Sequence, residues 1–133
     1  MKCIGLDGKR HNWPMSDNSN GPRAKTSEPH SLARAAIKRV FPSFKVYEEV
    51  FIPGAGKPLY LDFYIPMLDI AVEVHGEQHY KQNGHFHKNR LDFVAGVKRD
   101  SLKRQWCETN GIELIELPYN EDFDQWKIRL QSS

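Results

Sequence analysis

The chain has 133 residues, 39% hydrophobic and 27% charged, which fits one small domain and excludes a large multidomain enzyme. Its 19 Lys and Arg against 17 Asp and Glu give a formal net charge of +2, so any binding of nucleic acid depends on where the basic groups lie. Two cysteines exclude a multi-disulfide scaffold and a four-cysteine zinc site. Because no membrane span or secretory signal is visible, we expect a cytoplasmic protein without membrane contact.

The first part of the chain, residues 1–26, is rich in Gly, Pro and small polar residues and shows no sustained period. We expect an irregular N-terminal arm there, pinned by Trp13, and a single folded domain over 27–133. A helix follows, capped by Thr26 or Ser27 and ending before Pro42, with His30 and Arg34 on one face.

The remaining apolar patterns predict four strands and two helices. The strands are expected at 45–51, 59–65, 70–75 and 112–117, and the helices at 89–110 and from a cap at Asn120 onward. The long helix carries Phe93, Val97 and Trp106 on its buried side, and a polar, His-rich stretch covers 76–88. The order α-β-β-β-α-β-α predicts an α/β fold, a single-domain mixed sheet flanked by helices.

The second and third strands form a hairpin whose register follows from the turn at 66–69, which sets Ile65 opposite Ile70. One face of this hairpin is then wholly apolar, with Leu61, Phe63 and Ile65 opposite Val74, Val72 and Ile70. On the other face Asp62 lies across from Glu73, with Tyr60 across from His75.

Two carboxylates in directly paired positions repel each other unless something neutralises them. A divalent cation does so, and carboxylate oxygens are suited to Mg²⁺, for which Mn²⁺ substitutes. Such an ion lowers the pKa of a bound water and polarises a phosphoryl oxygen, as phosphodiester hydrolysis requires. His75, Gln78 and His79 lie at or just beyond the strand end and are candidates to orient or deprotonate the water.

Three segments together resemble the PD-(D/E)XK nuclease superfamily, and most of all its very-short-patch-repair-like branch and related phage-type homing or recombination endonucleases. They are 62–66 (Asp-Phe-Tyr-Ile-Pro), 72–79 (Val-Glu-Val-His-Gly-Glu-Gln-His) and Arg99-Asp100 with Lys103. The resemblance spans about 27–119 and implies the restriction-endonuclease-like α-β-β-β-α-β core. It implies a Mg²⁺-dependent DNA endonuclease in which Asp62, Glu73 and the Val74 carbonyl bind metal.

In the same resemblance, His75 and His79 match two histidines that assist water activation and phosphate contacts. The superfamily's lysine, two residues after the acid, is replaced by His75, which leaves open whether His75, Gln78 or His79 takes its role. Many members also place an acid on the first helix. Glu28 is a candidate for that acid, and Glu48 or Glu49 on the first strand is the alternative.

DNA contact is expected from basic groups and one histidine on or beside the long helix, through salt-sensitive phosphate contacts. These residues are Lys81, His87, Lys88, Arg90, Arg99 and Lys103. A homodimer is possible, and dimerisation decides between one cut and two.

Two other functions fit parts of the sequence. An HNH-type or zinc-dependent nuclease would use the histidine cluster of His79, His85 and His87, or His79, Asn83 and His87 as HNH-like residues. A degenerate nuclease fold would instead bind nucleic acid without cutting it.

Overall fold

The computed structural model of the chain describes residues 2–13, 28–75 and 87–133, leaving aside the side chains at 87–90, 92 and 93. It contains, in chain order, β1 (Lys2–Ile4), β2 (Arg10–Asn12), α1 (Glu28–Val40), β3 (Tyr47–Phe51), β4 (Tyr60–Ile65), β5 (Ile70–His75), α2 (His87–Thr109), β6 (Glu113–Pro118) and α3 (Phe123–Gln131). From α1 onward, this order is the predicted one.

The fold is a single mixed α/β domain built on a four-stranded sheet. The strand order is β3-β4-β5-β6, with antiparallel pairing between β3, β4 and β5 and parallel pairing between β5 and β6. A parallel pair needs a long crossover connection, and α2 lies within the one between β5 and β6. Among the described residues, no helix is both long enough and apolar enough to cross a membrane.

Two apolar clusters form the core. One contains residues of α1 and α3 with Phe63, Val72 and Leu117 of the sheet. The other contains Trp106 and Cys107 of α2, residues of β3 and β4, and Cys3 and Trp13 from the N-terminal part of the chain. Because α2 and α1 contribute to different clusters, sheet residues that face α2 are separated from those that face α1.

The N-terminal part differs from the irregular arm that the sequence predicts. β1 and β2 form an antiparallel hairpin in which Cys3 pairs with His11, and strands of three residues are too short to show an alternating pattern. Trp13 is 2% exposed, and its indole Nε1 donates a hydrogen bond to the Phe51 carbonyl (2.7 Å). The expected pinning by Trp13 is therefore confirmed, while the predicted caps at Thr26 and Ser27 lie outside the described residues.

The predicted register of the β4–β5 hairpin is confirmed, since Phe63 pairs with Val72, Tyr64 with Ala71 and Ile65 with Ile70. The predicted apolar face is wrong at one position. Leu61 packs in the cluster with Trp106 and Tyr64, whereas Phe63 packs in the cluster with α1 and α3. Leu61 and Phe63, two residues apart on β4, therefore face opposite sides of the sheet, and the change occurs at Asp62.

Helices α2 and α3 each show one difference from the sequence predictions, in the burial of Val97 and in the N-terminal cap of α3. Trp106 is buried as expected, but Val97 is 47% exposed; the side chain of Phe93 is outside the described set. α2 stops before Gly111, whose positive φ of 68° suits the predicted helix end. α3 is capped by Asp122 rather than Asn120, because Asp122 forms a reciprocal capping box with Gln125.

Candidate active site

Asp62 and Glu73 are the next residues beyond Phe63 and Val72, where the backbone pairing of β4 with β5 ends. The backbone N–H of Asp62 donates to Oε2 of Glu73 (2.6 Å), and the backbone N–H of Val74 donates to Oδ2 of Asp62 (2.8 Å). Each carboxylate therefore accepts a bond from the backbone of the other strand. The two predicted acids are brought together, with their side chains bridging the two strands.

Lys103 lies against Glu73 from the α2 side of the sheet. Its Nζ donates to Oε1 of Glu73 at 2.7 Å, and the two side chains are 14% and 5% exposed, respectively. Sequence reasoning assigned Lys103 to DNA contact and missed this pairing. The available signal was its spacing, because Lys103 precedes the buried Trp106 and Cys107 by three and four residues and shares their helix face.

The charges of Asp62, Glu73 and Lys103 influence one another. Burial, followed by the charge of Asp62, raises the pKa of Glu73 to about 8, although the Lys103 ammonium opposes this. Burial acts to lower the pKa of Lys103, but the charges of Glu73 and Asp62 outweigh it and raise the pKa overall. Lys103 therefore holds its proton strongly, while Glu73 is costly to ionise.

A second set of possible ligands adjoins Asp62. One donor atom from each of His30, Glu49 and Asp62 lies within 4.8 Å of the others. In the β3–β4 register Glu49 falls opposite Asp62, between the pairs Glu48–Phe63 and Val50–Leu61. Glu49 has a positive φ of 54°, a conformation that side-chain-bearing residues seldom adopt.

The structure separates the candidate acids of the first helix and strand. Glu49 is 8% exposed and joins Asp62, while Glu48 is ion-paired to Arg34 (2.7 Å). Hydrogen bonds from Arg34 are the leading cause that lowers the pKa of Glu48. Glu28 begins α1 and is exposed. Of the three acids, Glu49 is the one that extends the Asp62 site.

His30, which sequence reasoning did not select, is held between the two glutamates. Its Nε2 donates to Oε1 of Glu48 (2.9 Å), and its Nδ1 lies 3.9 Å from Oε1 of Glu49. The imidazole stacks on the Phe63 ring, with centroids 4.4 Å apart and an interplanar angle of 23°. The predicted common face of His30 and Arg34 was the available signal, but it did not identify this cluster.

His75 is engaged by carboxylates on the α2 side of the sheet. It is 4% exposed, with Nε2 2.7 Å from Oε1 of Glu116 and Nδ1 3.6 Å from Oδ2 of Asp100. Arg104 Nη2 also donates to Glu116 (2.6 Å). The hydrogen bond from His75, followed by that from Arg104, lowers the pKa of Glu116 to about 2. Water activation by His75 stays a prediction.

Several predicted residues fall outside the described part of the chain. Gln78, His79 and Lys81 belong to the segment 76–86, as do Asn83 and His85 of the alternative metal sites. His87, Lys88 and Arg90 are placed in α2 by their backbone alone. Arg99 lies exposed on α2, together with Lys98, where both are accessible to a ligand.

Comparison with known proteins gives viral relatives. The chain is 31% identical over 122 residues to the uncharacterized protein 094L of Frog virus 3 (isolate Goorha), covering 90% of this chain and 79% of that protein. It is 49% identical over 61 residues to the uncharacterized protein 307L of Invertebrate iridescent virus 6, and 42% identical over 67 residues to the uncharacterized protein 033L of Invertebrate iridescent virus 3.

Those two matches cover 46% and 50% of this chain but 31% and 34% of the viral proteins, so they span about a third of each relative. No family model matches the chain, and no solved structure does. The long match to the Frog virus 3 protein covers most of both sequences. The chain therefore belongs to the same family as protein 094L of Frog virus 3.

Proposed function

We propose that the protein is a metal-dependent DNA endonuclease with a restriction-endonuclease-like core, which hydrolyses phosphodiester bonds in recombination, repair or homing. The observation that carries this proposal is the pair Asp62 and Glu73. Hydrogen bonds join the two residues where the pairing of β4 with β5 ends, and Lys103 contacts Glu73. Two carboxylates on neighbouring strands, each bonded to the backbone of the other strand, are suited to holding a divalent cation next to a substrate phosphate.

The donors at this position fit Mg²⁺ or Mn²⁺. Asp62 and Glu49 supply carboxylate oxygens and His30 an imidazole nitrogen, all within 4.8 Å of one another. Glu73, beside Asp62, and the Val74 carbonyl are proposed as further ligands. The raised pKa of Glu73 reports a cost of burying negative charge here, and a cation would offset that cost. When bound, the cation would lower the pKa of an attacking water and polarise the phosphate.

The chain's own groups would position the two carboxylates and neutralise negative charge. The N–H of Val74 fixes the Asp62 carboxylate, and the Lys103 ammonium fixes that of Glu73. Because its pKa is raised, Lys103 stays charged and is suited to stabilising developing negative charge rather than to accepting a proton. It thereby supplies the positive charge that the sequence lacks two residues after Glu73. The exposed Lys98 and Arg99 would contact DNA phosphates.

A plasmid-cleavage assay tests this function. Wild type is compared with Asp62→Asn, Glu73→Gln and Lys103→Met in Mg²⁺, Mn²⁺, Zn²⁺ or EDTA, with Asp124→Asn as the control. The carboxylate of Asp124 is 82% exposed on α3, so its loss should leave cleavage unchanged. We expect EDTA to abolish cleavage and each site variant to slow it by about 100-fold or more, as the loss of groups that stabilise transition-state charge does.

Other outcomes would favour the alternatives. Cleavage that tolerates Glu73→Gln but requires His79, Asn83 and His87 would replace the carboxylate mechanism with an HNH-type or zinc-dependent one. DNA retained in a gel without cleavage in any metal would indicate a binding module. The ratio of nicked to linear product, followed against protein concentration, tests whether a homodimer makes two cuts.

A further inference from the structure

The environment of His30 suggests which cation the site prefers. The imidazole has two distinct sides, since Nε2 hydrogen-bonds to Glu48 at 2.9 Å while Nδ1 faces Glu49 and the Asp62 cluster. With the proton on Nε2, the ring donates to Glu48, and Nδ1 lies on the side of Glu49 and Asp62. Metal-binding histidines are typically oriented in this way, with the second nitrogen donating to a carboxylate.

The groups behind His30 are themselves fixed. Arg34 contacts Glu48 through two hydrogen bonds, from Nε to Oε2 and from Nη2 to Oε1, each 2.7 Å long. This two-point contact sets the plane of the Glu48 carboxylate, and the stacking on Phe63 sets the plane of the imidazole. The His30 side chain, 11% exposed, is therefore pre-oriented toward Glu49 and Asp62.

We propose that His30 ligates the cation through Nδ1 together with Glu49 and Asp62, that Glu48 is its positioning residue, and that the site consequently prefers Mn²⁺ to Mg²⁺. The inference rests on the proposed function in that both place the cation at Asp62. Mg²⁺ favours oxygen ligands and retains its waters. Mn²⁺ stands lowest in the affinity order of the first-row divalent transition metals, but it is a softer ion than Mg²⁺ and accepts an imidazole nitrogen more readily.

The test measures metal binding rather than cleavage. Mn²⁺ affinity is obtained from the electron paramagnetic resonance signal of free Mn²⁺, and Mg²⁺ affinity from calorimetry, for wild type, His30→Gln and Glu48→Gln. We expect both variants to bind Mn²⁺ about 10-fold to 100-fold more weakly, as removal of a ligand's orienting partner typically does. Mg²⁺ affinity should change less, so the Mn²⁺ to Mg²⁺ ratio falls. His11→Ala, in the N-terminal hairpin, is the control and should bind as wild type.

A second measurement uses the unmodified protein, in case a variant misfolds. Pulsed electron paramagnetic resonance of the Mn²⁺ complex detects a directly coordinated imidazole nitrogen. We expect that nitrogen coupling in wild type and in His11→Ala, and its loss in folded His30→Gln. Wild type without nitrogen coupling, or His30→Gln with an unchanged Mn²⁺ to Mg²⁺ ratio, would overturn the inference.

These outcomes separate the two proposals. Nitrogen-coordinated Mn²⁺ without any DNA cleavage would support the His30 inference and contradict the proposed nuclease activity. Cleavage that depends on Asp62 and Glu73, with no role for His30 in metal choice, would do the reverse.

Discussion

Glu73 illustrates how one buried acid can carry a cost in stability that the proposed metal site would offset. Its side chain is 5% exposed and faces both a like charge, Asp62, and an opposite charge, Lys103. Removing a carboxylate from water disfavours its charged form. The pKa near 8 means that the folded protein binds a proton here more tightly than the unfolded chain does.

That difference sets the pH dependence of folding without metal. The folded-state pKa of Glu73 exceeds its ordinary value of 4.5. The contribution of this carboxyl group to the free energy of unfolding is therefore fully present below pH 4.5 and is lost as the pH rises through about 8. Glu73→Gln should abolish most of this decline and melt at or above wild type at pH 8 in EDTA. Thermal melts between pH 5 and 8.5 check this. A decline of the same size in the variant would show that another group titrates.

Glu49 has a backbone cost of its own. A non-glycine residue in the left-handed region loses about 1–2 kcal/mol, and glycine avoids this penalty. We therefore expect Glu49→Gly to be more stable than Glu49→Ala by about 1 kcal/mol in EDTA, as measured by urea unfolding. Equal stability of the two variants would mean that the positive φ of 54° carries no strain. Both variants should bind metal more weakly than wild type.

The N-terminal cap of helix α3 is Asp122, two residues after the predicted Asn120. Asp122 accepts a hydrogen bond from the Gln125 N–H (2.8 Å), and the Gln125 side chain accepts one from the Asp122 N–H (2.9 Å). Asp122→Ala should cost about 1 kcal/mol in free energy of unfolding, as measured by urea denaturation. Asn120→Ala serves as the comparison and should have little effect. A larger loss for Asn120→Ala would restore the original cap assignment.

The strands show what local pattern can and cannot predict. The β4–β5 register follows from one turn and an alternating pattern, and it placed Asp62 and Glu73 together correctly. The change of face at Leu61, however, coincides with the end of the β4–β5 pairing and with the positive φ of Glu49, and local pattern predicts neither of these. Likewise, His30 and Lys103 reach the site from α1 and α2, and their positions depend on how helices pack on the sheet, which a single sequence does not specify.

The N-terminal hairpin is part of the folded domain. Trp13 packs against both Tyr64 and Trp106, with ring centroids 4.7 and 4.8 Å away, so it joins β4 to α2. Trp13→Ala should reduce the free energy of unfolding by about 3–5 kcal/mol, as removal of a large buried aromatic does. Met67→Ala, at a residue 78% exposed, is the control. A loss below 1 kcal/mol for Trp13→Ala, measured by urea denaturation, would mean that the hairpin is dispensable.

Asn110, at the end of α2, makes a contact of a different kind with this hairpin. Its Oδ1 accepts from the Ile4 N–H (2.8 Å) and its Nδ2 donates to the Ile4 carbonyl (2.9 Å), as a neighbouring strand would. Free edge groups of this type are where another chain can add a strand and begin aggregation. The carboxamide that closes the helix therefore also shields the outer edge of β1 from intermolecular pairing.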